Sequence, residues 1–248
     1  MMGIIINADD FGLNISCTKA IAEAFGKGLV TDTTMTANGE AFAEALNTAK
    51  ENGFRDKIGI HFNITEGAPL TDDIKKCPAF SNGTNFRKDI NRLKPLTATE
   101  RDALYKELSA QVKKIAGSGI KITHADSHHH IHTAIFIYPI IARVCRENGI
   151  DKIRLHRNLG KIPFYKRIIK NGFNNKLRKD GFKTTEFFAS FDDLDIKSIP
   201  ENLEIMVHPD FGADGCLLDR EGYDGDGNPK GMPLSKIQND NFICYGDL

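Results

Sequence analysis

Close to its amino terminus the chain reads Ile4-Ile5-Ile6-Asn7-Ala8-Asp9-Asp10-Phe11-Gly12. Three consecutive β-branched residues without polar alternation predict a strand that is buried on both faces, as in a parallel sheet. Two carboxylates and a glycine follow this strand. Cys17, Ile21, Ala24 and Phe25 then come with the spacing of an apolar helix face. The fold therefore begins with a strand, an acidic turn and a helix.

The same order of strand and helix repeats along the chain. Further strands are predicted at residues 30–37, 58–62, 153–155, 184–188 and 203–208, with a histidine-rich strand after residue 120. About seven strands that alternate with helices imply a parallel sheet, wound either into a barrel or into an open sheet. An open sheet typically has a Gly-rich phosphate turn after its first strand, whereas this turn is acidic. We therefore predict an α/β fold, a seven-stranded (β/α) barrel that forms one domain over residues 1–248.

Two parts of the chain depart from this alternation. Residues 65–97 are rich in loop-forming Gly, Pro and Asn-Gly, and a loop of this length in a compact domain is usually functional. Beyond Pro209 the sequence is rich in Gly and Asp and carries no clear fold signal. Residues 224–229 lack the ligand spacing and the closing Glu of a calcium loop, so we expect a flexible loop there.

The composition excludes several classes of protein. Lys and Arg number 33, as do Asp and Glu, so no overall field favours nucleic acid as a partner. The five cysteines are widely spaced and form no C-x-x-C pair, which argues against a disulfide framework and a cysteine zinc site. The first apolar run has no basic segment before it and meets two carboxylates at once, unlike a signal peptide or a membrane span. These features favour a cytoplasmic protein.

Histidines are concentrated in the stretch His124-Ala125-Asp126-Ser127-His128-His129-His130-Ile131-His132, which holds five of the eight in the chain. If the strand is regular, His124, Asp126 and His128 share one face. Imidazoles bind divalent metals well and usually need a carboxylate nearby to fix the tautomer. The cluster therefore indicates a metal site rather than a solvated polar loop or a run of turn residues.

Polar residues recur where the predicted strands end. In a parallel α/β fold these ends lie on one rim, where active sites are built. Two imidazoles and one carboxylate from different strands would leave coordination positions open for water and substrate, as in catalytic metal sites. The residues at these ends are Asp9, Asp10, His61, His124 to His128, Arg154, His156 and His208.

Two of these positions have simpler interpretations. In a regular strand Asp9 and Asp10 would point to opposite faces, so both can reach the site only if the chain turns there, as Gly12 permits. Alternatively, the pair could cap the following helix. His208 could equally be a hydrogen-bonded residue of the rim or a proton donor.

Four motifs together resemble the YdjC/ChbG carbohydrate deacetylase family over roughly residues 3–211. They are Asn7-Ala8-Asp9-Asp10-Phe11-Gly12, Gly59-Ile60-His61-Phe62-Asn63-Ile64-Thr65-Glu66-Gly67, Thr123-His124-Ala125-Asp126-Ser127-His128-His129-His130-Ile131-His132 and Glu204-Ile205-Met206-Val207-His208-Pro209. The resemblance implies a TIM-like barrel related to polysaccharide deacetylases. It also implies a homodimer and removal of N-acetyl groups from small amino-sugar oligosaccharides such as chitobiose, by attack of a metal-activated water.

The resemblance also assigns roles to single residues. It implies that Asp10, His61 and His128 bind the metal, that Asp9 is the general base and His208 the general acid, and that Asp126, His132 and Arg154 contact the substrate or support these groups. Among divalent ions the resemblance favours magnesium, and zinc is the rival. Two other functions fit the same residues: an iron(II) enzyme with two histidines and one carboxylate, and a metal-dependent sugar-binding protein without turnover.

Overall fold

The computed structural model describes residues 3–160, 162–193, 199–236 and 241–248. Within them the main sheet is a curled sheet of six strands, each parallel to its neighbours. The strands are β1 (Ile4–Phe11), β2 (Asp32–Met35), β3 (Ile58–Phe62), β4 (Ala125–Ser127), β5 (Phe187–Ser190) and β6 (Leu203–Val207). Their spatial order is β4-β3-β2-β1-β6-β5.

Helices alternate with these strands. They are α1 (Ile15–Gly26), α2 (Phe42–Glu51), α3 (Asp72–Lys75), α4 (Ala98–Gly117), α5 (Tyr138–Glu147) and α6 (Phe164–Lys179). All eight residues of β1 are buried, which confirms the strand predicted from its β-branched run. The side chain of Thr97 caps α4 by accepting from the N–H of Glu100, and the carboxylate of Glu100 accepts from the N–H of Thr97. The predicted alternation is therefore present from β1 to β5, and among the described residues no α-helix lies between β5 and β6.

The predicted fifth strand differs most from the structure. At residues 153–155 only single bridges occur, between Ala125 and Ile153 and between Lys152 and Lys183. Two backbone hydrogen bonds join this segment to Ala125 and two join it to Lys183, but neither pair of bonds extends into a ladder. The seven-stranded count is thus not confirmed. The strands predicted at 30–37 and 184–188 are also shorter or shifted, and become β2 and β5.

A second sheet follows the main one. It is antiparallel and consists of β7 (Pro209–Phe211), β8 (Leu217–Tyr223) and β9 (Pro229–Pro233), in that order. The turn between β8 and β9 is held by Asp224, whose Oδ1 accepts from the N–H groups of Asp226 and Asn228. Gly and Asp are typical of turns, and their abundance in this segment is why the sequence did not predict these strands.

The last described residues return to the start of the chain. Phe242 bridges Ile4 in parallel, and Tyr245 packs its ring on His124 with 3.7 Å between the ring centres. In the part of the chain that is described, none of the helices combines the length and the apolar character that a membrane-spanning helix requires.

Candidate active site

A cavity of about 300 Å³ opens at the carboxyl ends of β1, β3 and β4. Side chains from distant parts of the sequence line it, because the carboxyl ends of parallel strands meet on one rim. They include Asp9, Asp10, His61, His128, His208 and Arg220. The structure therefore brings together five of the residues to which the sequence assigned a role, and adds an arginine.

Three donor atoms converge at the floor of this cavity. Nε2 of His61 lies 3.3 Å from Oδ1 of Asp10 and 3.4 Å from Nδ1 of His128. Nδ1 of His128 lies 2.9 Å from the same Asp10 oxygen. All three residues are buried. They form a group that could hold a metal ion.

The spacing and charge of this group fit a divalent cation. Metal–ligand bonds of about 2.1 Å at tetrahedral or octahedral angles separate donor atoms by about 3.0–3.4 Å. Burial disfavours a charged imidazole, but Asp126 and Asp10 outweigh it and raise the pKa of His61 to about 10. Burial likewise opposes charge on His128, yet Asp10 and Glu66 raise its pKa. The carboxylates around His61 and His128 therefore stabilise positive charge at this position.

Both imidazoles are oriented by a carboxylate on their far side. Nδ1 of His61 lies 2.6 Å from Oδ1 of Asp126, and Nε2 of His128 lies 3.2 Å from Oε2 of Glu66. Thr34 supports Asp126 by donating to its other oxygen. With a cation bound, each histidine would be neutral, keep its proton on the side of that carboxylate and present the lone pair of its opposite nitrogen to the cation. Asp126 therefore orients the imidazole of His61.

The backbone of β1 brings both neighbouring aspartates into the cavity. Asp10 has φ of 71°, and the pairing register with β2 is irregular between Ala8 and Phe11. A non-glycine residue in this left-handed region is unusual and is found mainly where function requires it. Asn14, rather than either aspartate, caps α1 by accepting from the N–H of Cys17. The helix-cap interpretation of Asp9 and Asp10 is thus wrong.

Arg154 lies beneath the cavity and is fully buried. Its two terminal nitrogens donate to the two oxygens of Asp9 at 2.6 Å each, and one of them also lies 2.6 Å from Asp126. Its Nε donates to Glu204 at 2.7 Å. Burial alone would raise the pKa of Asp9, but the guanidinium of Arg154 outweighs it and holds that pKa below its ordinary value. Arg154 therefore supports the carboxylates from behind.

His208 directly follows β6 and lines the same cavity as Asp9. Its side chain is 29% exposed, and its ring Nδ1 lies 3.8 Å from Oδ1 of Asp219. The same oxygen accepts from the backbone N–H of His208 at 2.6 Å. A half-buried imidazole that is held from one side and open on the other can exchange a proton with a bound molecule.

Other histidines lie outside the donor group. His124 points into the sheet interior one layer deeper, where its Nε2 lies 2.9 Å from Oδ1 of Asn7. His132 is fully buried, and its Nδ1 lies 2.6 Å from Oγ of Ser127. His156 donates its N–H to Asn174 and is not among the residues that line the cavity. His132 therefore supports the strand that precedes His128 and does not reach the cavity.

Glu66, Thr34 and Arg220 also belong to the site, although the sequence did not identify them as site residues. Glu66 sits in the Asn63–Gly67 motif and could have been noticed for its carboxylate. Thr34 is one of several threonines on the predicted strand, and no feature of the sequence distinguishes it from the others. Arg220 lies beyond Pro209, in the segment for which the sequence carries no clear fold signal.

Comparison with known proteins places this site in a family. A family model described as YdjC-like protein matches residues 3–229. A carbohydrate deacetylase of Listeria welshimeri is 34% identical over 85% of this chain and 82% of its own, and one of Clostridium beijerinckii is 32% identical over 98% and 94%. An Enterococcus faecalis crystal structure, provisionally described as a cellobiose-phosphate cleavage protein, has a TM-score of 0.65 at 21% identity, covering 84% of this chain and 81% of its own. The chain therefore belongs to the YdjC-like family.

Proposed function

We propose that this protein is a metal-dependent carbohydrate deacetylase that removes N-acetyl groups from small amino-sugar oligosaccharides. The observation that carries the proposal is the group of Asp10, His61 and His128, which shares its cavity with Asp9 and His208. The name carbohydrate deacetylase, borne by relatives about one-third identical, supports the same reaction.

Asp10, His61 and His128 would hold the cation through one oxygen and two nitrogens. When bound, a divalent cation supplies Lewis acidity, which polarises an amide carbonyl and lowers the pKa of water. Two imidazole donors suit zinc and other transition ions, whereas the family resemblance favours magnesium. Refilling of the stripped protein with each ion separately distinguishes zinc from magnesium.

Asp9 would accept the proton of the attacking water. Its pKa is below the ordinary value, so the carboxylate is ionised at neutral pH and able to accept. Arg154 holds both Asp9 oxygens, and Asn7 donates to one of them at 2.8 Å, so the acceptor is fixed in direction before substrate arrives. A fixed acceptor avoids the cost of reorganisation during the reaction.

His208 would donate a proton to the leaving nitrogen. An acetamide is a poor substrate partly because its amine leaves badly unless it is protonated, and general acids typically contribute about 10²- to 10⁴-fold to such steps. Asp219 fixes His208 through the backbone N–H and lies near its ring. The acid and the base would thus act from two sides of one cavity.

The size of the cavity supports a small substrate. A volume of about 300 Å³ is at the lower end of the range for ligand pockets, which suits one sugar unit with its acetamido group better than a whole chain. We propose that further units of a chitobiose-like substrate extend over the exposed rim.

Acetate release tests this function. The protein is stripped of metal and refilled separately with Mg²⁺, Zn²⁺ and Mn²⁺, and then given N-acetylglucosamine, its β-1,4 dimer or its trimer. We expect acetate from at least one of these sugars with a refilled ion and none from the stripped protein. Binding of sugar by calorimetry without acetate would favour a binding protein, and oxygen uptake with a cosubstrate after refilling with Fe²⁺ would favour the iron enzyme.

A further inference from the structure

The two carboxylate oxygens of Asp10 face different partners. Oδ1 faces Nε2 of His61 and Nδ1 of His128, as described above. Oδ2 points away from both and accepts from Nη2 of Arg220 at 3.1 Å. Arg220 belongs to β8 of the second sheet, so a residue 210 positions further along the chain fixes the orientation of this carboxylate.

Arg220 is itself held firmly. Its Nη1 donates to Oδ2 of Asp210 at 2.9 Å and lies 3.0 Å from the sulfur of Cys17. The other oxygen of Asp210 accepts from the hydroxyl of Ser16 on α1 and from the backbone N–H of Phe211. The side chain of Arg220 is only 14% exposed. The guanidinium therefore bridges two carboxylates, and contacts from α1, β7 and β8 keep it in place.

We propose that Arg220 is a positioning residue for the cation site: by occupying Oδ2 of Asp10, it directs Oδ1 at the two imidazoles and so completes the site from the second sheet. The inference rests on the proposed function, because it assumes that these donors bind a cation. A planar guanidinium suits this task, since it can donate to two carboxylates at once from fixed directions.

The strand that carries Arg220 also serves His208. Asp219 and Arg220 are consecutive on β8, and consecutive residues of a strand point to opposite sides. Asp219 holds His208, and Arg220 holds Asp10. The second sheet thus contacts two residues that line the cavity, although its sequence shows no recognisable pattern.

Metal affinity of variants tests the role of Arg220. Binding of Zn²⁺ and Mn²⁺ to stripped protein is measured by isothermal titration calorimetry, and the thermal midpoint of each stripped variant monitors folding. Partners that orient metal ligands typically contribute about 10- to 100-fold to affinity, so we expect that loss in Arg220→Met. Arg220→Lys should recover only part of it, because one ammonium cannot bridge both carboxylates with fixed geometry.

Two further variants sharpen the test. Lys230→Met removes a cation from the neighbouring strand β9 and should keep the parent affinity. Asp210→Asn keeps the size of the anchor but weakens its hold on Arg220, so it should lose affinity in the same direction as Arg220→Met and by less. If Arg220→Met does not fold, Asp210→Asn carries the test alone.

The outcomes separate the inference from the proposed function. Parent-like affinity in a folded Arg220→Met variant, or in Asp210→Asn when that variant alone folds, would overturn the role of Arg220 and leave the metal site standing. A parent protein that binds neither of these ions, and does not bind Mg²⁺ in the same titration, would overturn both. Tighter binding in Arg220→Met would also overturn the inference, because it would mean that the arginine acts on the site mainly by repulsion of the cation.

Discussion

Asp9 and Asp10 are neighbours in the chain, yet they have different partners. Asp9 is held by Arg154 from below, whereas Asp10 lies between two imidazoles and Arg220. The left-handed backbone at Asp10 separates the two directions. Two adjacent residues of one type can therefore serve two purposes, proton transfer and cation binding.

The proton-accepting role is tested at Asp9. Asp9→Asn keeps the size of the side chain but removes the negative charge, so turnover should fall by about 10²- to 10⁴-fold. The cation site should remain intact, because Asp9 is not among its three donors. Acetate release and metal content are measured on the same preparation. A turnover close to that of the parent would exclude Asp9 as the base.

Asp32 gives a stability prediction away from the cavity. Burial, together with the nearby Glu204, raises the pKa of Asp32 to about 7, although Thr31, the Tyr245 N–H and Lys57 oppose the rise. The folded protein keeps a proton that the unfolded chain releases near pH 3.8. The resulting stabilisation is complete below that pH and is lost as the pH rises through about 7.

Asp32→Asn should remove the loss of stability that the parent shows as the pH rises through about 7. At pH 8 the variant should gain stability relative to the parent, by at most about 4 kcal/mol, and the gain should be smaller at pH 5. Thermal unfolding of both proteins at the two pH values measures it. An equal difference between variant and parent at pH 5 and pH 8 would contradict the raised pKa.

At the level of single residues, position along a strand was the useful signal. Asp9, His61 and His208 were predicted because polar residues at the ends of parallel strands converge. Arg220 and Thr34 could not be predicted in this way, because they matter only through the atoms they contact. Arg154 was predicted at the rim, whereas the structure buries it completely beneath the cavity, against three carboxylates.

Among the elements, β3 is approached closely at Gly59 by His124, the residue before β4. A Cβ atom at Gly59 would lie 2.6 Å from a ring carbon of His124 and 2.7 Å from its carbonyl oxygen. His124 in turn is fixed between Asn7 and the ring of Tyr245. Glycine at this position of β3 is therefore needed for space rather than for backbone freedom.

Gly59→Ala should lower the free energy of unfolding by about 1–3 kcal/mol, as overpacking of a core typically does. Gly26→Ala is the matched control, since a Cβ at Gly26 would meet nothing within 4 Å. Urea denaturation of both variants measures the difference. If Gly59→Ala were as stable as Gly26→Ala, the close approach of His124 to β3 would be contradicted.

The elements differ in how well the sequence predicted them. β1, β3 and β6 were found because β-branched runs mark buried parallel strands, and α4 because its cap has a clear spacing. The strands β7 to β9 were missed because Gly and Asp of their turns dominate the composition. Residues 153–155 have strand-like residues but form only single bridges, since pairing depends on neighbours that the local sequence does not contain.

Across the whole molecule, the interior of the main sheet is unusually polar. Barrel interiors are normally filled by layers of branched apolar side chains. Here Arg154 contacts Asp9, Asp126 and Glu204, and Tyr245 from the end of the chain donates to Glu204. Buried charges that satisfy one another in this way resist rearrangement. The fold therefore holds the cavity residues in place before any ligand binds.

The central claim is that Asp10, His61 and His128 bind one divalent cation. Anomalous diffraction from crystals grown with Mn²⁺ or Zn²⁺ tests it most directly. We predict a single strong peak within about 2.0–2.3 Å of Oδ1 of Asp10, Nε2 of His61 and Nδ1 of His128. A peak at other residues, or no peak at these atoms with the ion at saturating concentration, would contradict the claim.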